Sequence, residues 1–291
     1  MKYYKFSDYL KKRFGCRVHK VSIDAGFSCP NRDGTISKDG CIYCDNRVFS
    51  PNTRNPAKSI EQQLKEGMAS AKKRYKAKKF IAYFQAFTNT YAPINLLKER
   101  YDKIKKFGDI VSLAIGTRPD CVNDEIVKLL NSYSRDYEVW IEYGVQTMHD
   151  KTLSYINRGH LYKDFLDAVK LTKQYPKLKI CAHVIIGLPF ETPESITETA
   201  KALGRLKLDG IKIHPLHIVK GTKLEKLYND ETYKPLTLAE YAELASNFIK
   251  LLPKDTVIQR ITADCPRNML AAPDWILDKH RAIKEIEKHL F

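Results

Sequence analysis

Long apolar runs are absent from the sequence, and none approaches the roughly 18 residues that a membrane-spanning helix needs. The opening residues, MKYYKFSDYLKKRFG, lack the apolar centre of an export signal. Linkers rich in Gly, Ser and Pro and low-complexity tracts are also absent, which excludes collagen-like, disordered and coiled-coil classes. We therefore expect a folded cytoplasmic protein with no membrane partner.

Acidic residues are scarce relative to basic ones: 34 Asp and Glu stand against 50 Lys and Arg, a net charge of +16. Such a charge favours polyanions, and nucleic acid is the commonest polyanion in the cytoplasm. The densest basic run, Lys72–Lys79, falls at the end of a predicted helix, where the helix dipole stabilises cations. Charge alone therefore leaves open both nucleic-acid binding and a purely solubilising role.

Apolar, β-branched runs alternate with amphipathic helical patterns along the chain. The runs are Val18–Asp24, Phe80–Gln85, Ile110–Ile115, Glu138–Tyr143, Ile180–Ile186, Ile211–Leu216 and Val257–Ile261. This alternation predicts an α/β fold with a parallel sheet, a partial (β/α)6 barrel related to the TIM barrel, with its active site at the C-terminal strand ends. We expect an N-terminal extension (1–17), the barrel (18–236) and a C-terminal helical extension (237–291) that contains a candidate seventh strand.

Three of the seven cysteines, Cys29, Cys41 and Cys44, cluster as C-x11-C-x2-C after the first predicted strand. An odd cysteine count without an export signal argues against a disulfide framework. Three thiolates without a local fourth ligand suit a 4Fe-4S cluster that keeps one iron open. Structural zinc needs four ligands, with Cys16 or His19 as the candidate fourth. Spacing alone leaves the cluster, zinc and unligated core thiols open.

Motifs at the predicted strand ends resemble those of radical S-adenosylmethionine (SAM) enzymes. The cysteine loop has Tyr43 before its third cysteine, although the usual spacing there is C-x3-C-x2-C. The motifs in chain order are FQAFTNTYAP, IGTRPDCV, IEYGVQTMHDKTLSYINRGH, HVIIGLPFET and IKIHPLHIVKGTKLEKLY. They resemble the radical domain of the Elongator catalytic subunit, a tRNA wobble-uridine enzyme, except that Gly116 replaces a Glu before TRPD.

Over nearly its full length, including GFSCPNRDGT and the late APDW, the chain resembles the YhcC/YtqA family of stand-alone radical SAM proteins. One branch of that family, the MnmL-type enzymes, acts on the tRNA wobble uridine. The resemblance implies that Cys29, Cys41 and Cys44 hold a 4Fe-4S cluster and that SAM chelates its open iron. The implied cofactor-binding residues are Tyr43, Gln85, Thr88, Asn89, Thr90, Arg118, Gln146 and Arg158.

Each implied cofactor residue also has a structural interpretation. Thr88, Asn89 and Thr90 could form an Asx-type turn before a helix. Arg158, the candidate partner of the SAM carboxylate, could instead cap a loop together with Gln146. Arg118 could face either cofactor or substrate.

Three residues are candidate catalytic groups: Glu142, His214 and Lys220. A carboxylate inside a barrel needs a partner, which for Glu142 could be structural only. His214 lies in the sixth predicted strand and Lys220 follows it, and both are candidate substrate-side groups. A lone strand histidine is more often a satisfied core residue, so both interpretations stay open.

The resemblance implies reductive cleavage of SAM to a 5′-deoxyadenosyl radical and tRNA wobble-uridine modification. The predicted reaction converts 5-carboxymethylaminomethyluridine to 5-aminomethyluridine, with hydrogen abstraction beside the nitrogen and release of glyoxylate. The implied partners are tRNA and an electron donor such as flavodoxin or ferredoxin, while the oligomeric state stays open. The alternatives are a radical SAM enzyme acting on a small metabolite or tetrapyrrole, and a non-enzymatic zinc protein that binds RNA.

Overall fold

The computed structural model describes residues 3–54 and 58–290, so positions 1, 2 and 291 of the two predicted extensions lie outside the described residues. The strands are β1 (Val18–Ile23), β2 (Lys79–Phe84), β3 (Ile110–Thr117), β4 (Glu138–Gln146), β5 (Leu178–Ile186), β6 (Gly210–Pro215), β7 (Ile218–Val219), β8 (Val257–Arg260) and β9 (Leu270–Ala272). Within the described residues, one parallel sheet has the order β1-β2-β3-β4-β5-β6-β8, and β7 pairs with β9 in a small antiparallel sheet. The predicted partial barrel is confirmed, and the candidate seventh strand forms β8.

Helices connect the parallel strands, as right-handed βαβ crossovers require. They are α1 (Phe6–Phe14), α2 (Asn46–Phe49), α3 (Ile60–Tyr75), α4 (Ile94–Asp102), α5 (Asp124–Ser132), α6 (Asp150–Tyr155), α7 (Tyr162–Thr172), α8 (Pro193–Arg205), α9 (Lys223–Asn229), α10 (Leu238–Lys250) and α11 (Lys279–Leu290). Their starts are set by local capping: the Thr237 side chain accepts from the backbone N–H of Glu240, which caps back in return. Among the described residues, no helix is both long and apolar enough to cross a bilayer.

The two faces of the sheet carry different side chains, because successive strand residues point to opposite sides. Outward-facing residues such as Phe80, Ala82 and Phe84 join the main core between sheet and helices. Inward-facing residues near the strand starts, such as Ile81 and Trp140, form a second apolar cluster. Further along the strands the inner face becomes polar, so the barrel lumen is charged toward its C-terminal end.

The N-terminal helix α1 closes the apolar end of the lumen. Its Leu10 belongs to the same cluster as Trp140, and the ring of Phe6 meets Trp140 edge-on with centroids 6.0 Å apart. The hydroxyl of Tyr9 donates to Glu138 at 2.7 Å. Lys5, just before α1, forms a 2.6 Å ion pair with Glu287 of α11. The predicted terminal extensions therefore contact each other, and α1 covers the end of the barrel opposite the cysteine loop.

Gly67 allows α3 to pack closely on β1. A Cβ at this position would lie 2.4 Å from Cγ1 of Val21. We expect Gly67→Ala to cost about 1–3 kcal/mol of stability through overpacking, although alanine has the higher helix propensity by about 1 kcal/mol. Thermal melting measures the effect.

Gly108→Ala is the matched control for this prediction, since a Cβ there meets nothing within 4 Å. Combining Gly67→Ala with Val21→Ala should cost less than the sum of the two single changes, because the clashing methyl is removed. An unchanged melting temperature in Gly67→Ala would contradict the close-packing explanation.

Candidate active site

The cysteine loop joins β1 to α2 and folds on its own backbone. The carbonyl of Cys29 accepts the N–H of Arg32 at 2.8 Å, and the Cys44 N–H donates to the Cys41 carbonyl at 3.0 Å. The second contact is a tight turn that places the two cysteines of the C-x2-C pair close together. Cys41 is buried, whereas Cys29 and Cys44 are half-buried. Local hydrogen bonds thus order the loop.

Polar donors surround the thiols. Nδ2 of Asn31 lies 3.6 Å from Sγ of Cys41 and Nη1 of Arg158 lies 3.7 Å from the same sulfur. Nδ2 of Asn46 lies 3.9 Å from Sγ of Cys44. Burial, together with the charge of Cys41, raises the pKa of Cys44 to about 12 in the metal-free protein. Donors directed at sulfur suit thiolates that ligate a cluster, because hydrogen bonds to sulfur tune such centres.

The residues around the loop fit a 4Fe-4S cluster with SAM beside it. Three cysteines supply three of the four ligands that such a cluster takes, which leaves one iron for an outside ligand. Nε of Arg158 and Oδ1 of Asn31 are buried without a hydrogen-bond partner within the described residues, as expected beside a bound polar group. Within the described residues, no group of three or more His, Cys, Asp or Glu side chains is arranged to hold a single metal ion.

The loop after β2 packs against the cysteine loop. The N–H of Phe87 donates to Oδ1 of Asn46 at 2.9 Å, and the N–H of Thr88 donates to the Ser28 carbonyl at 3.1 Å. These bonds bring the predicted residues Gln85 and Thr88 next to the three cysteines. Gln85 faces the lumen, where Ser22 donates to its Oε1 at 3.1 Å.

Asn89 and Thr90 anchor the same loop to β3. Nδ2 of Asn89 donates to the Gly116 carbonyl at 2.8 Å, while its Oδ1 is buried without a partner in the described protein. Thr90 has structural bonds at 2.6 Å to both the Thr117 hydroxyl and the Cys121 carbonyl. The hydroxyl of Thr90 is therefore engaged within the fold, whereas the amide oxygen of Asn89 remains available.

Arg158 lies at the centre of the site. Its Nη2 donates to the Gly144 carbonyl at 2.9 Å, and a Cβ on Gly144 would lie 2.6 Å from the same nitrogen. Gln146, at the end of β4, adopts φ 69°, and its Nε2 would lie 2.7 Å from that Cβ. Burial opposes the charge of Arg158, but Cys41 and neighbouring anionic groups raise its pKa by more. The guanidinium therefore stays charged beside the thiols.

Arg118 supports Arg158 and is paired with Asp120. Its Nη1 donates to the Arg158 carbonyl at 2.7 Å, and its other nitrogens bind Asp120 at 2.8 and 3.0 Å. Tyr43 packs against the apolar cluster that contains Ile42 and Ile185. The predicted cofactor residues thus gather at one end of the barrel, with Arg118 in a supporting position.

Glu142 is buried in an ionic network inside the barrel. Lys20 donates to its Oε1 at 3.1 Å, Lys212 donates to its Oε2, and Nε2 of His183 lies 2.9 Å from Oε2. Burial raises the pKa of Glu142, but the two lysines and His183 lower it by more, so the carboxylate stays ionised. Burial and the neighbouring Lys212 lower the pKa of His183 to about 4, which leaves the ring neutral near pH 7.

Sequence reasoning identified Glu142 but missed Lys20 and Lys212 as its partners. The available signal was a charged residue at an inward position of an otherwise apolar strand, which occurs in both β1 and β6. His214 lies on β6, with its ring centroid 5.5 Å from that of His183. Burial and the neighbouring His183 hold the pKa of His214 well below its usual value.

Lys220 lies away from the lumen. It follows β7 on the surface and lines a cavity of about 500 Å³ with Arg47, Thr53, Asn268 and Met269. Of the three predicted catalytic residues, the fold therefore brings together Glu142 and His214. It does not bring Lys220 to them.

Two family models match the chain. The radical SAM superfamily model matches residues 29–203, and the radical SAM C-terminal domain model matches residues 208–291. The chain belongs to the radical SAM superfamily. It is therefore an enzyme whose cofactors are a 4Fe-4S cluster and SAM, which decides between the cluster and zinc interpretations of the cysteine loop.

This radical SAM enzyme is similar to two bacterial proteins over almost its whole length. Protein YhcC of Escherichia coli is 39% identical over 286 residues, 98% of this chain and 91% of that protein. YtqA of Bacillus subtilis is 35% identical over 289 residues, 99% of this chain and 89% of that protein. The resemblance to the YhcC/YtqA family is thereby confirmed.

Proteins related to Elongator are similar in sequence to part of this radical SAM enzyme. A tRNA uridine(34) acetyltransferase of Methanocaldococcus jannaschii is 31% identical over 164 residues, which covers 55% of this chain and 29% of that protein. The archaeal Elp3 of Methanocaldococcus infernus has the same fold at 20% identity, with a TM-score of 0.67 over 93% of this chain and 63% of that chain. The similarity to the acetyltransferase is confined to about half of this chain.

Gly144 leaves the space that Arg158 occupies. We expect Gly144→Ala to displace the guanidinium, since the new methyl group would lie 2.6 Å from Nη2, and to weaken SAM binding about tenfold or more through the loss of charge-assisted bonds. Equilibrium dialysis of SAM, with iron and sulfide measured per chain, checks this expectation. Gly108→Ala is the control. An affinity for SAM equal to that of wild type in Gly144→Ala would contradict the predicted binding of the SAM carboxylate by Arg158.

Proposed function

We propose that this radical SAM enzyme modifies tRNA, converting 5-carboxymethylaminomethyluridine at the wobble position to 5-aminomethyluridine in the cytoplasm. The observation that carries the proposal is the radical region shared with tRNA uridine(34) acetyltransferase. The radical SAM chemistry itself follows from the family. The choice of RNA substrate is the proposed part.

In this proposal, the thiolates of Cys29, Cys41 and Cys44 hold the cluster. Arg158 binds the SAM carboxylate, with Gln146 beside it, because a guanidinium can form two parallel bonds to a carboxylate. The cluster and SAM together supply hydrogen abstraction and accept two electrons from the substrate overall, with SAM released as methionine and 5′-deoxyadenosine. The barrel walls exclude competing solvent from this chemistry.

The substrate loses its two electrons at the carbon between the nitrogen and the carboxylate, which yields an imine. The nitrogen releases its proton to water, because burial holds the pKa of His214 well below its usual value and makes the neutral ring a weak base. Water then adds to the imine carbon, and cleavage of the C–N bond gives glyoxylate and the free amine on uridine. Atoms and charge balance with SAM as the two-electron oxidant.

The surface around the mouth of the barrel supports an RNA substrate. Tyr155 and Phe190 are 41% and 69% exposed, and their rings meet edge-on with centroids 4.6 Å apart. Exposed aromatic rings suit stacking on the unpaired bases of an anticodon loop. The cavity lined by Arg47 and Lys220 suits backbone phosphate.

Incubation of the reconstituted, reduced protein with tRNA that carries 5-carboxymethylaminomethyluridine tests the reaction. We expect 5-aminomethyluridine, glyoxylate and 5′-deoxyadenosine in equal amounts, measured by mass spectrometry. Cys44→Ala is the control, and it should form none of the three because it lacks a cluster ligand. Absence of 5′-deoxyadenosine above the level without RNA would refute the proposed substrate.

Phosphate contact at Lys220 predicts a change in salt dependence. We expect Lys220→Gln to weaken tRNA binding and to lower the slope of log affinity against log salt by about 1, the value for one lost phosphate contact. Fluorescence anisotropy under anaerobic conditions measures the slope. Lys72→Gln, in the last turn of α3, is the control and should leave the slope unchanged, whereas equal slopes for both variants would place the RNA elsewhere.

A further inference from the structure

The charges inside the barrel do not balance. Glu142 is the carboxylate of the layer, and it faces Lys20 from β1 and Lys212 from β6. The remaining members of this layer, Tyr83, Cys181, His183 and Gln259, carry no negative charge at their ordinary ionisation. Within the described residues the layer therefore has two lysines for one carboxylate, and burial lowers the pKa of Lys212 to about 7 although Glu142 opposes this shift.

Neighbouring charges do not correct the excess. Arg260 on β8 pairs with Asp264 at 3.2 Å, and Lys279 pairs with the same carboxylate. His214, on the inner face of β6, is neutral. The side chains of this second group are 37–46% exposed, and the group supplies no anion to Lys20 or Lys212.

Each lysine has donor capacity left. Lys20 donates to Glu142 and, at 2.7 Å, to Gln259. Lys212 donates to Glu142 and, at 3.0 Å, to the hydroxyl of Tyr83. An ammonium has three N–H donors, so each retains one. The Tyr83 ring, 4.3 Å from Nζ of Lys212, offsets part of the charge but supplies no anion.

Two members of the layer are partly exposed. The side chains of Lys20 and His183 remain 22% and 19% exposed. Gly116 pairs in register with Glu142, and Gly144 pairs with His183. Neither glycine projects a side chain over the layer, and the Gly144 carbonyl binds Arg158 beside the cysteines. The cofactor residue Arg158 is thus bonded to Gly144, the strand position that pairs with His183 of the layer.

We propose that Lys20 and Lys212 form a binding site for the carboxylate of the substrate, an inference that rests on the proposed function for the identity of that substrate. The site binds the carboxymethyl end of the modified base, while the carbon beside the nitrogen points toward the cysteine loop. Breaking the C–N bond separates this carboxylate from the RNA. The product tRNA, which lacks the anion, then binds more weakly than the substrate.

Binding of two matched anticodon stem-loop RNAs tests the site. One carries 5-carboxymethylaminomethyluridine and the other 5-methylaminomethyluridine, which keeps the secondary amine but lacks the carboxylate. With the oxidised cluster and SAM present but no reductant, no turnover occurs, so dissociation constants are measured directly. We expect wild type to prefer the carboxylate-bearing RNA about tenfold, as a charge-assisted bond implies.

Two substitutions should shift that preference in opposite directions. Lys20→Gln removes a cation, so the ratio of the two dissociation constants should fall toward one. Glu142→Gln removes the competing carboxylate and frees both lysines, so the ratio should rise. Lys179→Gln is the matched control, because Lys179 on β5 is already paired with Asp209 at 3.3 Å, and it should leave the ratio unchanged.

The outcomes separate this site from the reaction itself. A wild-type ratio near one, or equal weakening of both RNAs by Lys20→Gln, overturns the carboxylate site. If wild type forms no 5-aminomethyluridine but Lys20→Gln abolishes the preference for the carboxylate-bearing RNA, the proposed reaction is refuted and the carboxylate site is supported. If wild type forms the product and Lys20→Gln leaves the ratio unchanged, the reaction is supported and the carboxylate site is refuted. If Lys20→Gln fails to fold, as iron content and circular dichroism report, the rise expected for Glu142→Gln decides alone.

Discussion

Side chains alternate between the two faces of parallel strands, and this constraint organises the whole molecule. Residues such as Phe80 and Ala82 enter the core under the helices, while their neighbours enter the lumen. Because the strands run parallel, all of their C-terminal ends lie at one edge, and the loops that follow them meet there. The cysteine loop, the loop after β2 and the segment after β4 therefore contact one another although they are far apart in sequence.

Arg158 connects these loops energetically. One guanidinium contacts the sulfur of Cys41 and the carbonyl of Gly144, while Arg118 binds the backbone of the same residue. A buried cation of this kind is costly unless anionic or carbonyl groups surround it. Ligation of the thiols as thiolates would supply negative charge beside it, so in the proposed function the cluster site and the residue that binds SAM stabilise each other.

The balance of charged residues in the lumen differs from that around the cysteines. Around the cysteines, cations are set beside groups that become anionic, whereas deeper in the barrel Lys20 and Lys212 outnumber the single carboxylate between them. A buried cation is costly unless an anion or hydrogen-bond acceptors pair with it. A substrate that carries its own carboxylate would supply such an anion, and one that loses this group on reaction would also leave more readily.

The sequence by itself determined the strand and helix alternation, because hydrophobic period is a local property, and its motif order predicted the three-cysteine ligand set and Arg158 through the resemblance. It also indicated Glu142 as an inward carboxylate in need of a partner. Only the tertiary structure decided that the partners are Lys20, 122 positions away, and Lys212, 70 positions away. The tertiary structure also places Lys220 on the surface, apart from His214 on β6. Such pairings depend on the register of strands distant in sequence, which no local pattern encodes.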